Sequence, residues 1–155
     1  NSAKERGRHW GAPYVDSSTA SDGDELVLPC TKGIWSAEGE LLGVAGVEMT
    51  VTKMLDTSMR MANRSTLRVS LVDKQGRKVI DSSVANQTFP SNGRDEAIEF
   101  SPFELPGVAA AIIAEREGIL ETTRDGRPVV VAYVRLDAIK WYYVVEVDAG
   151  SLGAK

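Results

Sequence analysis

The chain has 155 residues, 43% of them hydrophobic and 26% charged, which is enough to bury an interior as one domain or as two small ones sharing a core. Its net charge of -4 and the confinement of clustered basic residues to KERGR at 4–8, a solvated tail, argue against a nucleic-acid partner. One cysteine, Cys30, excludes an internal disulfide, and one histidine, His9, excludes a His-rich metal site.

In chain order, residues 1–25 are rich in Ser, Asp and Gly around the island WGAPYVD, Trp10 to Asp16. Pro13 forbids a helix there, and Tyr14-Val15 suits an edge strand. ELVLPCTKGIW follows, strand-like at Leu26, Val27 and Leu28, with Pro29 marking an edge or a bulge. SAEGE at 36–40 is a turn in which Gly39 can take a positive φ. LLGVAGVE from Leu41 to Glu48 reads as a core strand that returns on its predecessor as a hairpin and ends in a lone acid. Val51, Met54, Leu55, Ser58, Met61 and Ala62 then fall on one helical face over 51–64, with Thr50 as N-cap and Arg60 and Arg64 at the negative end of the dipole.

Residues 67–73 alternate cleanly, DKQG at 73–76 turns, and 78–82 returns; 83–97 is a polar loop. SPFE at 101–104 has the capping-box form with Ser101 as N-cap, but Pro106 interrupts, predicting one short turn and then a helix over 107–117 that ends at Gly118. ILETTR at 119–124, the hairpin signal Asp125-Gly126, PVVVAYVRL at 128–136, a DAIK turn and WYYVVEVD at 141–148 close the chain as an antiparallel meander. The fold class is therefore α+β. A five-stranded antiparallel sheet flanked by helices occupies 66–155, a helix links at 51–65, and a partial three-stranded lobe occupies 1–50. Residues 12–49 and 118–148 echo one another: each has an edge strand and a long hairpin whose last strand carries Val-Glu before an apolar residue, at Glu48 and at Glu146. The first lobe is thus two strands short, and those strands are expected from another segment or another chain.

The ordered series Trp10, Pro13, Tyr14, Asp16, then LVLPC, EGELLGVAGVEM and an amphipathic helix, followed by SLVDKQGRKV and AIKWYYVVEV, resembles the double Cache family over residues 8–148. That resemblance implies two PAS-like lobes forming the extracytoplasmic, periplasmic sensor of a bacterial transmembrane receptor. It further implies a small-molecule ligand, membrane anchors outside this chain and a homodimer. Two departures bear on the ligand. Arg8-His9-Trp10 sits too close to Tyr14 to be the Arg-x-Trp-Tyr segment with which amino-acid-binding members grip a carboxylate, and Glu48 stands where the family carries aspartate.

Glu48 can thus face a ligand amine or cap the following helix in water. Tyr14 suits a pocket wall or a packed edge, Trp10 an anchor, and Asp16 a turn. On the last sheet, Tyr133 and Arg135 share one face of a strand and could hold a small carboxylate, unless Arg135 simply points to solvent. The ligand is accordingly expected to be an amine or a carboxylate. There is no GxSxG, P-loop, HExxH or CxxC motif, and Asp24-Glu25 and Asp95-Glu96 lie in solvated stretches; no catalytic residue, cofactor or metal is expected. The alternative function is a ligand-free dimerisation module of the same fold.

Overall fold

The structure, a computed structural model, describes residues 7–16, 25–51, 53–54, 66–83 and 100–152, and these form two compact units, the second beginning at residue 66.

In the first unit, β1 (Arg8–Trp10) and β2 (Tyr14–Asp16) lie along one side of β3 (Glu25–Trp35), and β4 (Leu41–Thr50) lies along the other. All three pairings are antiparallel. β1 and β2 are one edge strand broken at Gly11–Pro13: Trp10 pairs with Cys30 but Tyr14 with Val27, so one extra residue bulges out. Pro29 sits opposite that break. Its carbonyl accepts the Gly11 N–H at 2.9 Å, so its missing donor falls where the edge strand is interrupted. Gly11 is needed for this approach, because a Cβ there would stand 2.8 Å from Pro29 Cγ. The turn after β3 closes on Ser36, whose hydroxyl accepts the N–H groups of Glu38 and Glu40, with Gly39 at φ 88°.

One expectation fails here. β4 was read as core, yet Leu42, Val44 and Val47 are 65%, 54% and 67% exposed. Among the described residues β4 pairs only with β3, so within them the apolar run lies at the margin of the sheet and not in an interior. The helix expected over 51–64 lies almost wholly outside the described residues; Val51, Lys53 and Met54 are helical.

In the second unit the expected strands are all present: β5 (Thr66–Val72), β6 (Arg77–Asp81), β8 (Gly118–Arg124), β9 (Arg127–Leu136) and β10 (Trp141–Asp148). A two-residue strand, β7 (Ser101–Pro102), adds a sixth, giving the order β7-β6-β5-β10-β9-β8, antiparallel throughout. The β5–β6 turn is held by buried Asp73, whose carboxylate accepts the N–H groups of Gln75 and Arg77 and pairs with the Arg77 side chain. Gly76 takes φ 73° there with Ile113 packed where a Cβ would point, so no other residue fits without strain. Asp125 and Gly126 both take positive φ, as a two-residue primed turn requires.

The helix, α1 (Pro106–Ile113), differs from expectation at both ends. Ser101 does not cap it but pairs in β7, and Pro106 opens the helix, where its missing N–H costs nothing. It ends before Gly118 because Glu115 takes φ 54°, with Glu115 N–H bonded to Ile112 O and Arg116 N–H to Ala111 O. Val108, Ala111 and Ile112, at helical spacing, bury one face of α1. Val108 and Ile112 join Val129, Val131, Tyr142, Val144, Val72, Phe103 and Leu105 in the core of this unit.

Candidate functional site

Alternation along β2 and β4 decides which candidates meet. Tyr14 and Asp16 are two apart on β2, Tyr14 pairs with Val27, and Val27 and Pro29 pair with Thr50 and Glu48. Tyr14, Asp16 and Glu48 therefore share one face of the first sheet. The Tyr14 hydroxyl donates a hydrogen bond to Glu48 Oε1, so the two leading candidates are in contact across β3. Trp10 pairs with Cys30 and stands on the opposite face, half-buried beside that buried thiol. The described cations of this sheet, Arg8 and Lys32, pair with each other and also alternate to that opposite face. The face with Tyr14, Asp16 and Glu48 thus presents two carboxylates and a phenol, with no lysine or arginine among its described residues.

The electrostatics follow. The hydrogen bond to Glu48, a little burial, and the charges of Glu48 and Asp16 push the Tyr14 phenol up to about 12. The sign is fixed: the neutral phenol is favoured in the folded protein, so this contribution is complete below pH 10 and is lost as pH rises from 10 toward 12. In tyrosinate absorbance titrations, the difference between wild type and Tyr14→Phe should titrate near 12, and Glu48→Gln should move that midpoint down toward 10. A midpoint that stays put in Glu48→Gln would break the assignment.

The second unit carries the corresponding acid, Glu146, on β10. It is 1% exposed and held by a forked pair of bonds from Arg124 on the edge strand, Nε–Oε2 at 2.6 Å and Nη2–Oε1 at 2.9 Å. The ion pairs continue along the same face. Arg124 reaches Glu104 at 3.8 Å, Glu104 pairs with Lys78, Lys78 meets Asp81 at 2.9 Å, and Arg68 lies 3.7 Å from Asp81. Burial alone would raise the Asp81 carboxyl, but Ser83 and Lys78 outweigh it and hold it below its ordinary value. Sequence reading missed this chain, although the Val-Glu echo already paired Glu146 with Glu48.

Tyr133 and Arg135 do share the helix-covered face, as alternation requires. Tyr133 is partly buried against the core. Arg135 is already engaged, with Glu115 at 3.5 Å and Asp137 at 3.4 Å, both exposed carboxylates. A concavity of about 420 Å³ at the β8–β9–β10 side of this sheet is lined by Glu117, Gly118, Ile119, Ala132, Tyr133, Val134, Tyr143 and Val145, so that Tyr133 borders it, and its lining surface is almost wholly apolar. No cluster of three or more metal-ligating side chains occurs among the described residues.

No protein-family description and no curated protein matches the chain. Solved structures do. The ligand-binding domain of the Campylobacter jejuni chemoreceptor Tlp3, in complex with 4-methylisoleucine, is similar at a TM-score of 0.62 and 11% identity, over 99% of this chain and 52% of that one. The ligand-binding domain of the Pseudomonas aeruginosa amino acid chemoreceptor PctC, in complex with GABA, is similar at 0.51 and 20% identity, over 92% and 56%. An extracellular domain designated a histidine kinase is similar at 0.58 and 16% identity, over 95% and 52%. The chain therefore has the fold of these domains and spans about half their length.

Proposed function

We propose that this chain belongs to the extracytoplasmic, ligand-sensing region of a bacterial transmembrane receptor of double Cache type. In this reading its second unit is a PAS-like lobe, and Tyr14, Asp16 and Glu48 of the first unit recognise the cationic group of a small ligand. One observation carries the assignment of the site. The second unit neutralises its strand-end acid with an internal guanidinium, Arg124, whereas among the described residues of the first sheet Glu48 accepts from a phenol and shares its face with a second carboxylate and no lysine or arginine. Pro29, which pairs with Glu48, turns its backbone groups away from β4. On β10, Glu146 takes the same orientation, because Val69 O bonds outward to Ser82 N and Val69 pairs with Val145. The two acids therefore occupy corresponding faces. A ligand ammonium would do at Glu48 what Arg124 does at Glu146. The fold of the chemoreceptor and histidine kinase domains supports the receptor context.

Arg135 is committed to its own carboxylates, which favours an amine over a carboxylate as the recognised group. Signalling then follows from any difference in ligand affinity between two arrangements of the receptor. A thermal-shift screen of amines, amino acids and small carboxylates tests this. A cationic ligand at a hundred times its Kd should stabilise the first unit by roughly 2.7 kcal/mol. The shift should vanish in Glu48→Gln, shrink in Tyr14→Phe and persist in Arg135→Gln. A hit that survives Glu48→Gln but not Arg135→Gln would move the site to the second unit. The alternative, a ligand-free interaction module, is favoured by the exposure of Leu42, Val44 and Val47 on β4 among the described residues.

A further inference from the structure

The carboxylates in the ion-pair chain of the second unit are not equally committed. Asp81 and Glu146 are each 1% exposed and firmly held, Asp81 by Ser83 and Lys78, Glu146 by both arms of Arg124. Glu104 is different. Its side chain is 39% exposed and pairs with Lys78. It reaches Arg124 only at 3.8 Å, through the Nη2 that already serves Glu146 at 2.9 Å. A pair so open to solvent adds little net stability. Burial raises the Glu104 carboxyl, but Lys78, a backbone hydrogen bond and Arg124 outweigh it and hold it below its ordinary value. The two cations thus keep an anion between them at neutral pH, but keep it loosely.

Two further features belong to the same place. Ser70 pairs with Asp81 on β6 and with Val144 on β10, so its side chain stands on the face that carries the ion pairs, beside Asp81. Its hydroxyl is 0% exposed and has no hydrogen-bond partner among the described residues. A buried donor left in that state costs stability until something bonds to it. In addition, Glu104 stands one residue before Leu105, the N-cap of α1, which has no side-chain oxygen to offer the first turn. That end of a helix favours negative charge. We propose that the second unit binds a small carboxylate between Lys78 and Arg124, in the place that the Glu104 carboxylate holds, with the Ser70 hydroxyl as the buried donor on its inner side. Glu104 is then a built-in competitor, displaced at small cost because its pair is exposed. The site shares no residue with Tyr14, Asp16 and Glu48 and does not rest on the amine reading of the first unit.

Acetate is the probe, because Glu104→Ala deletes a methylene and a carboxylate, a group of the same size. Amide NMR titrations at constant ionic strength, with chloride as the balancing anion, read the binding. Wild type should respond saturably. Glu104→Ala should bind about tenfold tighter or more, since an intramolecular competitor at high effective concentration is gone. Lys78→Met should abolish the response. Ser70→Ala should weaken it several-fold while leaving the unliganded protein as stable as before, because the hydroxyl it removes makes no bond there. Glu48→Gln should bind as wild type does, which separates this site from that of the first unit. The proposal is overturned by a wild type without a saturable response, by chloride producing the same shifts, or by a Glu104→Ala chain that binds no tighter than wild type. It is equally overturned if folded Lys78→Met, or Ser70→Ala, binds as wild type does. Should Lys78→Met fail to fold by circular dichroism, the comparison of wild type with Glu104→Ala and Ser70→Ala decides.

Discussion

Replacing Arg124 by alanine is expected to destabilise the second unit by about 3–5 kcal/mol, because it strands a buried carboxylate without its partner. Glu146 is 1% exposed, and its two oxygens take both arms of the Arg124 fork. Equilibrium urea unfolding followed by circular dichroism would report the loss. The double variant Arg124→Leu/Glu146→Leu should recover most of it, since replacing a whole buried pair with apolar groups is often neutral. A cost under about 1 kcal/mol at neutral pH would mean that the pair is effectively solvated.

The second large effect contrasts two neighbours on α1. Ile112 is 0% exposed and sits in the core, whereas Ile113 is 59% exposed. Ile112→Ala should cost about 2–5 kcal/mol through lost burial and the cavity left behind. Ile113→Ala should stay within about 0.5 kcal/mol, since Ile113 is mostly exposed and alanine favours the helix. Equal effects from the two would contradict the orientation of α1 on its sheet.

The meander of the second unit was legible because its signals are local. Residues 67–71 alternate, Asp125-Gly126 demands a primed turn, and the final strands carry dense β-branched and aromatic runs. The ends of α1 were not legible for equally physical reasons. Pro106 serves equally to stop a helix and to start one, and a glutamate occupies the left-handed position that glycine usually announces. β4 misled because composition records apolarity and not neighbours. Leu42, Val44 and Val47 look like core until the sheet order places them at its margin. At the candidate site, Tyr14, Asp16 and Glu48 could each be nominated from sequence. That Trp10 stands on the other face, and that Tyr14 reaches Glu48, depend on the bulge at Gly11–Pro13 and on a register spanning 34 residues. The Arg124–Glu146 pair was likewise hidden, since its partners are 22 residues apart on strands separated by β9.

The first sheet has two unlike margins, and the contrast limits what it can build. On one side the strand is broken at Gly11–Pro13, and Pro13 offers no N–H, so an incoming chain finds no unbroken row of donors. On the other side β4 runs uninterrupted. Among the described residues, then, only the β4 side can carry a further hydrogen-bonded strand along its whole length, and any such strand extends this sheet in one direction.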